Sequence, residues 1–382
     1  MFKNYLLTTL RQLWKHQGYT AINIAGLAVG IAVCLLIALW VKDELQYDQF
    51  HQKADRIYRV LWNGKFGDNE WKIPVGPVPV KSTLEDHFPE VEYVTQMSQS
   101  GITLKKGSEY VRETEMLYAD ENFTKVFSIK TIAGDVNTAL KEPNTIALSQ
   151  SAAAKYFPKQ NPLGQTLLKN DGTPLKVSAV VQDMPTQSHF QFQFLGALNQ
   201  LQSFKERKEL WGFATVYNYF SLKPGTDPLA LQKKFQAYLE QHTQEEHFKT
   251  KGNFSRFPFQ ALSTIHLDSN LEMELGVNGK RAYLYIFSIV ALFILVLACI
   301  NFINLSTARS ITRAKEVGVR KALGSGRGQL MVQFFGESLL AVVAALMFAV
   351  AILGLSLPYF NTLAGKTLQL EWSGLPFLLG LL

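Results

Sequence analysis

Cysteine is almost absent from this 382-residue sequence. The chain has two cysteines, Cys34 and Cys299, and each lies inside an apolar stretch. The long segment between those stretches therefore has no disulfide of its own, even if it faces an oxidising compartment. Because that segment is longer than most single domains, it is large enough to bury a stable core without one.

Recognisable catalytic motifs are also lacking. The sequence has no G-x-S-x-G, and Phe360 stands where the first glycine of a phosphate-binding loop would precede Gly365. The segment HTQEEH at 242–247 matches neither of the H-E-x-x-H and H-x-x-E-H zinc signatures and is interpreted as a solvated helix end. The glycine-rich 323–328 follows a helix instead of a strand, which favours a turn over a nucleotide cradle. The sequence thus predicts a non-catalytic chain with no metal or cofactor and no ATPase core.

An excess of positive charge is missing from the middle of the chain. Residues 42–281 contain 28 Lys+Arg and 28 Asp+Glu, so the whole net charge of +7 comes from the flanking segments. A nucleic-acid-binding domain would carry its basic residues on a soluble face. Positive charge beside apolar segments is instead typical of a membrane protein, so nucleic acid is excluded as a partner.

Three long apolar runs predict membrane-spanning helices at 19–41, 282–305 and 330–357. Twenty helical residues cover roughly 30 Å, the thickness of the hydrocarbon layer. The first run is too long for a signal peptide and is followed by Val-Lys-Asp-Glu instead of a cleavage pattern. Within the third run, the span itself is expected to begin at about Phe334, which puts the intramembrane polar residue Glu337 in its first helical turn. A loop at 358–371 precedes 372–382, the start of a fourth span that is cut off.

Basic residues beside the spans predict the orientation. Residues 1–18 carry Lys3, Arg11 and Lys15 without an acid, and 306–329 carry six basic residues against one acid. The positive-inside rule places both segments in the cytosol of a bacterial inner membrane, so 42–281 must lie in the periplasm. Residues 1–18 are amphipathic at helical spacing, which fits either a helix in the headgroup region or an extension of the first span.

Gly26 and Gly30 form a G-x-x-x-G pair in the first span. Small residues at this spacing allow two helices to approach closely. The same spacing also arises by chance in a span rich in small residues, and the sequence leaves both interpretations open.

Residues 42–281 have the pattern of a mixed α+β domain. Strands are predicted at 145–148, 166–168, 175–181 and 217–222, and the alternation of Phe190, Phe192 and Phe194 with glutamines predicts a half-buried strand. Ser149 is a predicted N-cap for a helix over 150–156. Asp227-Pro228 starts a helix of about thirteen residues. Its predicted apolar side consists of four residues, namely Leu229, Leu231, Phe235 and Leu239.

The cytosolic segment 306–324 (STARSITRAKEVGVRKALG) predicts a short amphipathic helix. Four charged residues share one face at spacings of four, three and four, namely Arg309, Arg313, Glu316 and Arg320. Glu316 precedes Arg320 by four residues, the orientation that favours an ion pair. Gly318 disfavours helix, which suggests a close approach by another backbone. From these residues alone, the helix either lies on the anionic leaflet or binds a partner.

Several segments resemble the permeases of the MacB/FtsX class of ABC transporters. The resemblance is carried by INIAGLAVGI at 22–31, DELQYDQFH at 43–51, ADRIYR at 54–59, YFPKQNPLGQ at 156–165, NFINLSTARS at 301–310, RAKEVGVRKALG at 313–324 and QFFGES at 333–338. Together these motifs are distributed between residues 22 and 338.

This resemblance implies a fold and a set of partners. It implies an α-helical transmembrane bundle, here three full spans plus a truncated fourth, with a large mixed α+β periplasmic domain between spans one and two. It implies that a MacB-like ATP-binding subunit, which binds ATP and magnesium, docks on a coupling helix at 308–324, within the cytosolic segment of helix and turn at 306–329. It also implies a second permease copy, or a second half of the same chain, with a periplasmic adaptor and membrane lipids as further partners. The implied docking residues are Arg309, Arg313, Lys315, Glu316, Gly318, Arg320 and Lys321.

Three functions are compared on these observations. The leading one is a permease subunit that couples ATP hydrolysis by its partner to movement of the periplasmic domain, for export, extrusion or lipoprotein handling. A receptor with an extracytoplasmic sensor domain would need a cytosolic output module, which the sequence does not contain. A membrane-tethered enzyme would need a catalytic set and would have no use for several spans after its domain.

Overall fold

The computed structural model describes residues 17–243, 252–308 and 326–370, together with Ala314, 317–319 and 321–322. The chain divides into two compact units. The membrane unit comprises the residues up to Leu45 and those from Arg281 onward, and the soluble domain comprises Gln46–Lys280. The insertion of a large mixed α/β domain between the first and second spans is therefore confirmed.

The membrane unit contains three long apolar helices within the described residues: α1 (Gln17–Leu45), α9 (Arg281–Ala308) and α10 (Arg327–Ala364). Each is longer than the roughly 20 residues that a bilayer requires. Helix α1 packs against both of the others. Its small residues Ala28 and Ala32 meet Ala345 and Ala349 of α10, so the helices approach closely without large side chains between them.

The third helix differs from its predicted bounds at both ends. It continues through Pro358 to Ala364, so the predicted loop at 358–371 starts too early. Pro358 has no N–H group to donate to the carbonyl oxygen of Gly354, one turn earlier, and a membrane-spanning helix tolerates the loss of this one backbone hydrogen bond. At the other end, the start at Arg327 puts Glu337 about three turns inside the helix instead of in its first turn.

The soluble domain is built from fourteen strands and several short helices within its described residues. The strands are β1 (Ile57–Val60), β2 (Trp62–Phe66), β3 (Asn69–Ile73), β4 (Val75–Gly76), β5 (Val91–Lys106), β6 (Glu109–Ala119), β7 (Thr131–Gly134), β8 (Thr145–Ser149), β9 (Thr166–Leu168), β10 (Pro174–Val181), β11 (Phe194–Ala197), β12 (Val216–Leu222), β13 (Phe254–Arg256) and β14 (Phe259–Ala261). The helices are α2 (Val80–His87), α3 (Phe123–Val126), α4 (Val136–Lys141), α5 (Gln150–Tyr156), α6 (Gln202–Glu206), α7 (Pro228–His242) and α8 (Leu262–Asp268).

One large mixed sheet organises the domain. Its main order is β14-β1-β12-β5-β6-β11-β8-β10-β7, with β4 paired to β12 and β9 to β10, and a second sheet has the order β13-β2-β3. Most pairs are antiparallel, whereas β6 with β11 and β8 with β10 are parallel. Strand β1 begins shortly after α1 and pairs with β12 and β14, so the chain leaving the first span enters the sheet away from its edge.

The large sheet is packed on both faces. Along β8, Ile146 and Leu148 belong to one hydrophobic cluster and Ala147 belongs to another. Since successive side chains of a strand point to opposite faces, the two clusters lie on opposite sides of the sheet. The cluster that contains Ala147 also contains Phe127 and Tyr219, and it surrounds the polar side chains described below.

Two predicted helix starts agree with the structure. Ser149 Oγ accepts a hydrogen bond from the Ala152 amide at 3.2 Å, which caps α5. Asp227 Oδ1 accepts one from the Leu229 amide at 2.9 Å, and Pro228 occupies the first turn of α7. Both caps satisfy amides that have no partner inside the helix.

Two details of those predictions are wrong. Leu229, assigned to the apolar side of α7, is 67% exposed because it lies at the start of the helix beyond the packed stripe of Leu231, Phe235 and Leu239. The predicted strand around Phe190 is limited to β11, which starts at Phe194. All three phenylalanines are nevertheless buried, so the alternation reports burial correctly although the backbone before Phe194 is not a strand.

Candidate functional site

The predicted coupling helix is described only in part. Ala314, 317–319 and 321–322 are helical, and Lys321 is exposed. A Cβ atom placed on Gly318 would have no atom within 4 Å, so the close approach suggested for this glycine is not made by the described residues of this chain. The predicted docking residues Arg309, Arg313, Lys315, Glu316 and Arg320 lie outside the described residues.

The structure places Gly26 and Gly30 against α9. A Cβ atom on Gly30 would lie 2.5 Å from Ala298 Cβ, and one on Gly26 would lie 3.3 Å from Asn301 Nδ2. The first distance is shorter than two carbon atoms can tolerate, so the present separation of α1 and α9 depends on glycine at position 30. In the structure, the two glycines therefore allow α1 to pack closely against α9 of the same chain.

Glu337 is buried within the membrane unit. Only 5% of the residue is exposed, and Gln333 Nε2, one turn earlier on α10, lies 3.4 Å from its Oε1 atom. At the other end of the unit, Lys366 Nζ lies 2.6 Å from both Asp43 Oδ2 and Glu44 Oε1. This lysine ties the C-terminal end of α1 to the segment after α10.

The soluble domain contains a buried polar network that the sequence analysis did not identify. One half is centred on His189. Asp48 Oδ1 accepts a hydrogen bond from the His189 amide at 3.1 Å and lies 2.9 Å from His189 Nδ1. The other ring nitrogen, Nε2, lies 2.8 Å from the hydroxyl oxygen of Tyr219. All three residues are at most 4% exposed.

The other half of the network is centred on Arg59. Its guanidinium group forms a two-pronged pair with Glu274, with both N–O distances 2.7 Å. Its Nε atom donates to Gln260 Oε1 at 2.9 Å, and Nη2 donates to Ser269 Oγ at 3.0 Å. Burial alone would lower the pKa of Arg59, but the hydrogen bonds to Glu274 reverse this effect and raise the pKa.

This network is not arranged for catalysis. Asp48, His189 and Tyr219 have the connectivity of a carboxylate–imidazole–hydroxyl triad, but the hydroxyl group would have to reach a substrate. Tyr219 has no exposed surface, and burial raises its pKa, which keeps the phenol protonated. Among the described residues, no group of three His, Cys, Asp or Glu side chains is placed to hold a metal ion. The geometry supports a positioning role instead.

His51 adds a second buried imidazole next to Asp48. It is 2% exposed, and its Nδ1 atom accepts a hydrogen bond from the Ser128 amide at 3.1 Å. Burial lowers the pKa of His51 from 6.5 to about 4, with partial compensation by Asp48 and a further decrease from His189. The ring is therefore held neutral, with its proton on Nε2.

We expect the soluble domain to lose stability as the pH falls from 6.5 to about 4. In this window unfolded His51 binds a proton that the folded ring does not, so stability rises with pH and falls with acid by up to about 3 kcal/mol. Asp48, whose pKa lies below its usual value because His189 outweighs the effect of burial, loses its contribution only at still lower pH. The measurement is pulse proteolysis of the full chain in detergent across urea gradients at pH 7 and 4.5.

His51→Asn is the control for this prediction. An asparagine oxygen can replace Nδ1 as the acceptor for Ser128 without a group that titrates. The difference between wild type and variant in the pH dependence of the urea midpoint then isolates His51. Equal pH dependence in the two proteins contradicts the prediction.

The sequence contains a weak signal that Arg59 is buried with a partner. Arg59 follows Ile57 by two residues and so shares its face of β1, and Ile57 is part of the core. A charged residue at a core position of a strand indicates a buried partner. The partners themselves lie at sequence distances of 141 for Asp48 with His189 and 215 for Arg59 with Glu274. Only folding brings them together.

Comparison with protein families and known structures agrees with this architecture. A family model of the MacB-like periplasmic core domain matches residues 20–238, and one of the FtsX-like permease C-terminal region matches residues 288–382. The macrolide export ATP-binding/permease protein MacB of Agrobacterium fabrum is 22% identical over 367 residues, which are 92% of this chain and 52% of that protein. The chain thus spans about half the length of this curated relative.

Two solved structures match part of this chain. A crystal structure of a domain assigned to a permease protein from Porphyromonas gingivalis covers 62% of this chain and 98% of its own, with 21% identity and a TM-score of 0.51. This likeness concerns the fold alone. The periplasmic region of MacB from Actinobacillus actinomycetemcomitans covers 56% of this chain and 91% of its own, with 17% identity and a TM-score of 0.38.

Proposed function

Because the chain belongs to the MacB/FtsX-like family of ABC transporter permeases, we propose that it is a non-catalytic permease subunit that couples ATP hydrolysis by a partner ATPase to movement of its soluble domain. The observation that carries the proposal is the layout: a MacB-like core domain is inserted after the first of three apolar helices, and an FtsX-like region follows it. Such a domain is linked by chain only to the ends of two spans, so movement of those spans is its mechanical input.

The proposed location is a bacterial inner membrane, with the N-terminus and 306–329 in the cytosol and the soluble domain in the periplasm. The distribution of charge supports this orientation, since the basic excess lies outside residues 42–281. ATP and magnesium are bound by the partner ATPase. Further proposed partners are a second permease copy, or a second half of the same chain, and a periplasmic adaptor. The proposed process is export, extrusion or lipoprotein handling.

The coupling helix supplies the test. In the proposal, the face that carries Glu316 and Arg320 binds the ATPase, and nucleotide-driven closure of the ATPase moves this helix and with it the spans. We expect the charge-reversed double variant Glu316→Lys/Arg320→Glu to keep its own i,i+4 ion pair but to lose the ATPase on co-purification. ATP hydrolysis by the purified membrane complex should fall with it.

The matched control is charge reversal in the soluble domain. Glu90 and Lys234 form an ion pair of 2.7 Å in which the lysine is 63% exposed. Glu90→Lys/Lys234→Glu therefore makes the same chemical change at positions far in sequence from 306–329. This control should retain the ATPase. If the cytosolic variant also retains binding and hydrolysis, the docking role of 306–329 is refuted.

A further inference from the structure

Two short segments join the soluble domain to the spans. Residues 46–52 follow α1, which ends at Leu45, and residues 269–280 precede α9, which begins at Arg281. Any displacement passed along the chain between spans and domain goes through them. A flexible segment would absorb such a displacement, whereas a fixed one would transmit it.

Both segments contain a residue in the left-handed backbone region. Asp48 has φ +60° and Met273 has φ +63°, and Asn144 is the one other non-glycine residue with positive φ among the described residues. This conformation is uncommon for residues other than glycine and disfavours methionine in particular. It persists only where surrounding contacts determine the backbone more strongly than its own preference.

Residues 187–189 hold the first segment. The Asp48 amide donates to the Gln187 carbonyl oxygen at 2.7 Å, and Asp48 Oδ1 accepts from the His189 amide at 3.1 Å. The same segment also makes two hydrogen bonds with Ser128. Ser128 Oγ accepts from the Gln52 amide at 2.9 Å, and the Ser128 amide donates to His51 Nδ1. Five consecutive residues, 48–52, are thus fixed at both ends.

The same residues 187–189 also meet the second segment. A Cβ atom on Gly276 would lie 2.7 Å from the His189 carbonyl oxygen, so the backbone of 269–280 passes directly over His189. Earlier in that segment, Glu274 is held by Arg59, and the Met273 carbonyl oxygen accepts a hydrogen bond from the Tyr217 hydroxyl at 2.7 Å. The Tyr219 hydroxyl oxygen lies 2.8 Å from His189 Nε2, and Tyr219 is the register partner of Arg59 across β12 and β1, which connects the two segments.

We propose that His189 and Arg59 are positioning residues of a clasp that fixes 46–52 and 269–280 to the same part of the large sheet. With both segments held, a displacement of α1 and α9 moves the sheet as one body instead of flexing the two connections. The source of that displacement rests on the proposed function, whereas the clasp itself is a property of the soluble domain.

Hydrogen exchange of the full chain in detergent, without any ATPase, tests the clasp. We expect His189→Ala to speed amide exchange in both 46–52 and 269–280 by about tenfold or more, because each segment opens locally. Exchange in the core strand β8 should remain unchanged. A merely structural role would speed exchange across the whole domain, including β8, and this result would overturn the proposal. Faster exchange in only one segment would overturn it as well.

Two conservative variants sharpen the test. An asparagine amide reaches the position of a histidine Nδ1 atom, and a glutamine amide reaches that of Nε2. His189→Asn should therefore restore slow exchange in 46–52, which depends on Asp48. His189→Gln should restore it in 269–280, which depends on Tyr219 and Arg59. If His189→Asn and His189→Gln have the same exchange rates as each other in 46–52 and in 269–280, the assigned connections are wrong.

A matched control lies elsewhere in the domain. Glu113 is 7% exposed and lies 2.6 Å from both Lys155 Nζ and the Tyr156 hydroxyl oxygen, a polar cluster of similar chemistry. Glu113→Gln should leave exchange in both segments as in wild type. Faster exchange in the two segments of this variant would show that the loss of any buried polar contact in the domain speeds their exchange. That result would also overturn the proposal.

The transmission role is tested in the complex with the co-purified ATPase. His189→Ala should retain the ATPase and its hydrolysis rate, while the nucleotide-dependent change in exchange of the soluble domain disappears. An unchanged nucleotide response in the variant would overturn the transmission role. Failure of wild type to retain any ATPase would refute the proposed function and leave the exchange result on the isolated chain to decide the clasp.

Discussion

Glu274→Gln is expected to lower the free energy of unfolding of the soluble domain by about 3–5 kcal/mol, the loss typical of removing one partner from a buried ion pair. Arg59 has no exposed surface, and its guanidinium group makes two contacts of 2.7 Å with Glu274. A neutral amide can accept one of those hydrogen bonds but leaves the buried positive charge uncompensated. The shift in urea midpoint, measured by pulse proteolysis of the full chain in detergent, gives the change.

A double variant separates charge from packing. Arg59→Met/Glu274→Leu removes both charges and fills the site with apolar groups, so we expect it to cost less than Glu274→Gln alone. The control Glu90→Gln makes the same change in the exposed pair with Lys234 and should cost less than about 1 kcal/mol. If Glu274→Gln costs no more than Glu90→Gln, the buried pair contributes nothing beyond a surface pair, and the prediction fails.

The second large effect is expected in the membrane unit. Gly30→Leu should lower the stability of the packed helices by about 1–3 kcal/mol, the range for overpacking a filled interface. A Cβ atom at position 30 would lie 2.5 Å from that of Ala298, so α1 and α9 must separate to accommodate the new side chain. Titration with SDS in detergent micelles, followed by far-ultraviolet circular dichroism, measures the midpoint of unfolding.

The chain offers graded controls for this substitution. Gly354→Leu places the same side chain on α10 where no atom lies within 4 Å, so it should be neutral or slightly stabilising. Gly26→Leu should have an intermediate effect, because its nearest neighbour is the Asn301 side chain at 3.3 Å. Equal midpoints for Gly30→Leu and Gly354→Leu would mean that close approach at Gly30 does not hold the helices together.

Much of the membrane unit could be predicted from sequence because the bilayer imposes a simple requirement. A helix must be long and apolar to span it, and the runs at 19–41, 282–305 and 330–357 satisfy this by composition alone. The apolar pattern does not determine the bounds of each helix, since apolar residues continue past the point where a helix could end. Pro358 predicts a helix end, but it removes only one backbone hydrogen bond, and the helix continues to Ala364.

In the soluble domain, local signals predicted local structure. Ser149 and Asp227 cap helices because a side-chain oxygen can reach an amide two or three residues later, which requires no distant partner. The phenylalanines from Phe190 to Phe194 show the limit of such signals. Their alternation correctly indicated burial, but a strand also needs a neighbouring strand, and pairing begins only at Phe194.

The sequence by itself determined the class of this protein: three apolar helices, a neutral domain inserted after the first and a basic excess beside the spans. These follow from composition, because solvation by lipid or water acts on each segment separately. Only the tertiary structure decided where the polar groups of the domain meet. Asp48, Arg59, His189 and Glu274 are scattered along the chain; Arg59 lies on β1 and the other three on connecting segments, so the register of β1 against β12 and the packing of those segments together form the buried network. No local pattern specifies that register, since it depends on contacts between residues far apart in sequence.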